Sequence, residues 1–142
     1  MKLFLDANIL FTGAYSAHGI SRALFGLAGI GRYSIVTSAY AADEARRNLT
    51  LKAPAVLPVF EQLLGQITVV REPSCATVAR MTKLPLAAKD APIMAAAVDA
   101  GADILVTGDR RDFGHLFGKE VEKVLVLSPA ETLNRVLTSP MT

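Results

Sequence analysis

The residues of this chain best placed to do chemistry are acids that follow short apolar runs. Asp6 comes directly after Lys2-Leu3-Phe4-Leu5. Asp109 comes after Ile104-Leu105-Val106-Thr107-Gly108, with Asp112 three residues further on. Buried parallel strands read as short apolar runs, and ligands of open α/β sheets gather beyond the carboxyl ends of strands. Two such strands bring carboxylates side by side. Clustered carboxylates repel one another, and a hard divalent cation relieves that repulsion. The pattern therefore points to a divalent-metal site built from oxygen ligands.

Each acid also has a plainer reading. Asp6 suits a turn. Asn8, two residues on, offers an oxygen that can orient Asp6 or a metal-bound water, or it simply starts a helix. Glu44 lies two turns into a helix, on a small-residue face with Ala42, Ala45 and Leu49. Spacing alone favours a solvated Glu44 paired with Arg47 or Asn48, and Asp43 rivals it as the inward acid. Asp90 stands just before an apolar helix, where it fits either an N-cap or a ligand at a helix N-terminus; Lys89 beside it reads as solvated. Thr107-Gly108-Asp109 can be a turn, with Asp112 capping a short helix, or the two acids can face one site across one helical turn. Thr107 offers a hydroxyl to orient a carboxylate or a water. Arg110 and Arg111 suit either phosphate contacts or a salt-bridged turn, and Arg46, Arg47 and Lys52 extend a basic rim if their helix flanks the cleft. Asp99 lies on the opposite side of its helix from Asp90, Asp103 stands at the wrong end of its strand, Glu131 reads as a capping-box acid, and His115 reads as a bystander.

The elements that must position these groups alternate strand and helix. Strands are expected over 2–5, 33–37, 66–70, 103–107 and 122–127. A loop through Gly13 and Gly19 leads to a helix over 19–30. Further helices run from Ser38 to about Leu51, start between Pro54 and Pro58 and continue to about Leu64, cover 75–82 and 90–100, and open at Ser128-Pro129. A turn or short helix fills 109–118. This alternation predicts a parallel sheet with helices on both faces. There is no internal repeat or linker, so residues 1–137 read as one domain and 138–142 as a frayed tail.

Composition narrows the class. Of 142 residues, 51% are apolar and Trp is absent, so a core of Leu, Val, Ile and Ala is expected. Fifteen Lys and Arg against thirteen Asp and Glu give a net charge of +2, which excludes a strongly basic nucleic-acid-coating protein but not a local basic rim. Cys75 is the single cysteine and there are two histidines. Intramolecular disulfides and cysteine-based zinc clusters are therefore excluded, and a reducing cytoplasm is expected. No apolar run is long enough to span a membrane. The glycines form neither a dinucleotide fingerprint nor a phosphate-binding Walker loop, and no nucleophile motif is present.

Taken in order, Leu5-Asp6-Ala7-Asn8-Ile9-Leu10, Thr37-Ser38-Ala39-Tyr40 through Glu44-Ala45-Arg46-Arg47-Asn48-Leu49, Asp90 to Ala97, and Gly101 to Asp109 resemble the motifs of the PIN-domain family. The resemblance runs over most of the chain. It implies a three-layer α/β/α sandwich with a five-stranded parallel sheet. It implies an endoribonuclease using Mg2+ or Mn2+ held by Asp6, Glu44, Asp90 and Asp109. Family members differ over whether the fourth acid aligns with Asp109 or with Asp112; Asp109 is favoured, with Asp112 as alternate ligand. Asn8 and Thr107 then support the acids, and Arg110, Arg111 and Arg47 contact RNA. Small stand-alone members resemble VapC-type toxins, which implies an antitoxin partner and a homodimer. A non-catalytic RNA- or protein-binding module is the rival reading. A receiver-type or phosphatase domain is disfavoured, because Asp6-Ala7-Asn8 lacks the second Asp expected there.

Overall fold

The computed structural model of the chain describes residues 1–138. Six strands, β1 (Lys2–Leu5), β2 (Ser34–Ser38), β3 (Thr68–Val70), β4 (Ile104–Val106), β5 (Glu120–Val121) and β6 (Val124–Leu127), form one sheet in the order β3-β2-β1-β4-β6-β5. All pairings are parallel except β5–β6. Flanking this sheet are α1 (Ala7–Tyr15), α2 (Ile20–Gly29), α3 (Ala39–Lys52), α4 (Leu57–Leu64), α5 (Cys75–Met81), α6 (Ala91–Asp99), α7 (Arg110–Phe113) and α8 (Pro129–Thr138). The doubly wound architecture is the expected one.

The central strands are apolar because both of their faces are covered. Leu3, Phe4 and Leu5 of β1 are wholly buried, as are Leu105 and Val106 of β4. Chain order reverses between β1 and β4, so their carboxyl ends border the crevice where ligands of such sheets collect. Their register sets Leu5 opposite Val106, and the Asp6 N–H donates to Val106 O at 3.0 Å. The two apolar runs singled out above are thus neighbours, with Asp6 next to Thr107.

Two expectations are corrected. The sheet has six strands, not five. The extra strand, β5, pairs with β6 through a two-residue turn, Glu122-Lys123, with φ of 46° and 73°. Tight hairpins usually advertise this geometry with Asn-Gly or Asp-Gly; Glu-Lys carries no such signal. The segment after Asp6 is a helix, not a loop. Asp6 caps it, and Ile9, Leu10, Gly13 and Ala14 face inward. Gly13 is no hinge. A Cβ there would lie 2.9 Å from Cε2 of the buried Phe25, so glycine is what lets α1 and α2 approach.

Helix starts follow their caps. Ser38 Oγ accepts from Ala41 N–H at 3.2 Å, and Ser128 Oγ accepts from Glu131 N–H at 3.2 Å. Alanines 91, 95, 96 and 97 of α6 are all buried, which draws that helix close to its neighbours. Of the expected tail, Thr138 closes α8, and 139–142 lie outside the described residues.

Gly13 of α1 and Gly26 of α2 should respond oppositely to alanine. Gly26 has nothing within 4 Å of its Cβ position, so Gly26→Ala should stabilise by about 0.5–1 kcal/mol through helix propensity. Gly13→Ala should destabilise by about 1–3 kcal/mol through overpacking against Phe25. Urea melts of both variants check this; stabilisation by Gly13→Ala would contradict the close packing of α1 on α2.

Candidate active site

The acids converge through their backbone positions. Asp6 ends β1 and caps α1, accepting from Ala7 N–H at 2.7 Å. Asp109 follows β4 after Thr107 and Gly108 and caps α7, accepting from Asp112 N–H at 3.0 Å. Here Asp109 is the cap, and Asp112 sits one helical turn on. Asp90 holds the N-cap position of α6 but makes no capping hydrogen bond. Pro92 stands at the second helical position and has no N–H, which removes one of the two donors a cap side chain normally serves. The Asp90 carboxylate is left for other work.

Asp6, Glu44, Asp90 and Asp109, with Asn8, line one cavity of about 270 Å³. Glu44 projects into it from α3. Asp43, its rival, is exposed and bound to Arg46 at 2.9 Å, and Arg46 is also bound to Glu61 at 2.7 Å. That pairing removes Arg46 from the rim. Glu44 itself has no hydrogen-bond or ion-pair partner among the described residues, so the expected surface pairing with Arg47 or Asn48 does not form. Asp112 adjoins the same centre: carboxylate oxygens of Asp90, Asp109 and Asp112 lie within 4.8 Å of one another.

A hydrogen-bond frame holds this arrangement. Thr107, wholly buried, donates its hydroxyl to Asp6 Oδ2 at 2.8 Å and accepts from Asp109 N–H at 3.2 Å. Asn8 Nδ2 donates to Asp6 Oδ2 at 3.2 Å, while its Oδ1 accepts from Gly108 N–H at 2.8 Å. Asn8 and Thr107 therefore brace Asp6 and the β4 end together.

The electrostatics are strained. Burial pushes the Asp6 carboxyl up to about 6; the bonds from Thr107 and Ala7 pull it down, and Glu44 and Asp109 push it further up. Burial also raises Asp90 well above the carboxylate range, aided by the adjoining Asp112 carboxyl and by the charge of Asp6. The adjoining Asp90 carboxyl in turn lowers Asp112. Asp90 Oδ2 is buried without a hydrogen-bond partner among the described residues. A buried oxygen left unpaired costs free energy and calls for an explanation.

Several residues of the cavity carried no signal in the sequence. Lys89 lines it, lies 3.6 Å from Asp112, and is held protonated chiefly by Asp90. Phe11, Thr12 and Asn48 add to the wall, and Lys52, expected on the basic rim, completes it. Phe11 and Thr12 come from the unexpected helix α1, whose 3.6-residue periodicity was hidden by Gly13. Arg110, Arg111 and Arg47 are exposed and make no ion pair among the described residues; none of the three lines the acid cavity. A larger hollow of about 670 Å³ adjoins it, sharing Asn8, Thr12 and Asp109.

A family model for the PIN domain matches residues 2–111. The chain belongs to the PIN-domain family. Solved structures agree on the fold. VapBC2 from Rickettsia felis, bound to a DNA fragment from their promoter, is similar with a TM-score of 0.69 and 14% identity over 90% of this chain and 98% of that one. PAE2754 from Pyrobaculum aerophilum is similar with a TM-score of 0.65 and 19% identity over 98% and 100%. VapBC-1 from nontypeable Haemophilus influenzae gives 0.64 and 15% over 92% and 99%. No curated protein sequence matches the chain.

The strained acids set a pH dependence for this PIN domain without divalent cations. Asp6 binds its proton more tightly folded than unfolded, and so does Asp90. Between the ordinary carboxyl value of 3.8 and about 6 the folded state carries more protons, so this stability is present at low pH and is lost as pH rises through the window. In EDTA the thermal midpoint should fall by several degrees from pH 5 to pH 8, given about 2–4 °C per kcal/mol at this size. Asp90→Asn should flatten the fall. A midpoint independent of pH in the wild type would contradict the burial of both carboxyls.

Proposed function

We propose that this PIN domain is an endoribonuclease that depends on Mg2+ or Mn2+. The buried, unpaired Asp90 Oδ2 beside Asp109 and Asp112 carries the reading. In a protein interior such an atom finds a partner, and a cluster of carboxylate oxygens suits a hard cation of octahedral preference. The residues present fit the group: Asp6, Glu44, Asp90 and Asp109 would hold it, with Asp112 as alternate ligand to Asp109. A bound cation supplies water activation and charge neutralisation at a phosphodiester.

The chain's own groups have distinct tasks in this reading. Thr107 and Asn8 fix the Asp6 carboxylate by three hydrogen-bond contacts among themselves and their neighbours. Lys89 presents an ammonium at the cavity edge for a phosphate oxygen. Exposed Arg110, Arg111 and Arg47 attract the RNA backbone from outside the cavity. Single-stranded or looped RNA is the substrate, since its bases are accessible. The likeness to VapBC proteins supports a toxin role, with an antitoxin partner that covers the acidic cleft, in a cytoplasmic homodimer; among the described residues no helix is long and apolar enough to cross a membrane.

The test is cleavage of single-stranded RNA with Mg2+, Mn2+ or EDTA, by wild type, Asp6→Asn and Asp90→Asn. Cleavage should need the divalent ion and fall at least about 100-fold in each variant, with circular dichroism unchanged. Activity untouched by both substitutions would refute the site. RNA binding without cleavage under any metal would favour the non-catalytic binding module. Mn2+ should also raise the thermal midpoint of the wild type at pH 8, but not that of Asp90→Asn.

A further inference from the structure

Helix α1 carries an aromatic pair that the acid centre does not use. Phe11 is half-buried and lines the acid cavity. Tyr15, one turn on, stacks on it with ring centroids 5.6 Å apart and planes within 15°. Tyr15 is 59% exposed, an unusual position for a large ring. Above Phe11 lies the Lys52 ammonium, 5.7 Å from the ring centroid, and Lys52 lines the same cavity. The pair runs from the acid cavity, where Phe11 lies beneath the Lys52 ammonium, out to solvent at Tyr15.

We propose that Phe11 and Tyr15 form a stacking platform for the base next to the cleaved phosphodiester, with Lys52 on the adjoining phosphate. This rests on the ribonuclease reading above. Every nucleobase presents a π-face, so a planar ring adds to a two-ring stack whatever its identity. The charges match the occupant: a lysine held over an aromatic ring pairs with a phosphate linked to a stacked base. Asn8 and Tyr15 are seven residues apart on α1, about 10 Å along the axis. A strand with its phosphate at the acids therefore brings its next nucleotide over the platform. The platform fixes the register of the strand and leaves the base unread, so it confers a preference for unpaired RNA without a sequence preference.

The experiment uses the full chain and single-stranded RNA hexamers with 2-aminopurine placed at each position in turn, in Mg2+ and in Ca2+. One position should show quenching on binding. Tyr15→Ala should abolish that quenching and raise the KM for cleavage about 5- to 150-fold, with kcat changed less than about threefold; the range is ~1–3 kcal/mol per stacked base converted at 1.4 kcal/mol per decade. Tyr15→Trp should restore both. Lys52→Ala should lower the slope of log affinity against log salt by about 0.7. Tyr15 is exposed, so circular dichroism and the thermal midpoint should not move. Cleavage by Tyr15→Ala with unchanged KM would overturn the platform alone. A changed sedimentation mass of Tyr15→Ala with RNA affinity intact would also overturn it, and would assign the face to contact with a second copy. Quenching without cleavage would uphold the platform and overturn the ribonuclease reading. Wild type that neither binds nor cleaves RNA would overturn both.

Discussion

Burial of carboxylates, sharpened by their mutual repulsion, governs the crevice of this sheet, and the hydroxyl of Thr107 is the main side-chain device that opposes it within the chain. Thr107 is wholly buried, donates to Asp6 and accepts from the Asp109 backbone. One side chain thereby ties the acid after β1 to the acid after β4. The tie is available only because β1 and β4 are adjacent and in register at Leu5 and Val106. A shift of one residue in that register would turn Thr107 to the opposite face and leave Asp6 buried without its strongest donor. Sheet order, strand register and acid placement are thus one constraint.

Asp90 and Glu44 reach the same point from helices, and both are left with unmet needs. Asp90 occupies a cap position with no capping bond, above a helix whose second residue is a proline. Glu44 faces the cavity unpaired, while its neighbour Asp43 takes the arginine. In each case a local stabilising contact is forgone where the cavity needs a free carboxylate. Groups held against their own preference in one place mark function more than stability. The rigid neighbours sustain this: α6 is fixed by four buried alanines, and α1 by the Gly13 approach to Phe25.

The parallel strands were legible because burial on both faces leaves an uninterrupted apolar run, and the helix starts because Ser38 and Ser128 are efficient caps. Asp6, Asp90 and Asp109 were legible because each stands at a strand end or helix start; Glu44, in the body of α3, entered the set only through the family resemblance. Residue types alone did not separate Asp43 from Glu44; a neighbouring arginine on the exposed side did. Helix α1 was hidden by Gly13, which reads as a loop signal and in fact marks close packing. Strand β5 was hidden by a turn, Glu122-Lys123, in a left-handed geometry that its sequence does not advertise. Losing α1 at the sequence level meant losing Phe11 and Tyr15 as members of one face. Lys89 was lost differently, read as solvated: a lysine's reach depends on what surrounds it, and nothing in local spacing encodes that; Lys52, expected on the rim, does line the cavity.

Charge of both signs within one cavity gives the crevice its logic. Lys89 is the cation nearest the acids, 3.6 Å from Asp112 and held protonated chiefly by Asp90. A phosphate entering the cavity competes with Asp112 for that ammonium. While the acids carry their full charge, Asp112 wins and the field repels a polyanion. Neutralising Asp90 and Asp109 from within removes the largest charge acting on Lys89, leaves its ion pair with Asp112, and makes the field that an approaching strand meets less negative. On the proposed ribonuclease reading, admission of a nucleic acid backbone and relief of the buried Asp90 oxygen are two results of one event. On that reading a chain with a net charge of only +2 does not need a basic surface to hold RNA.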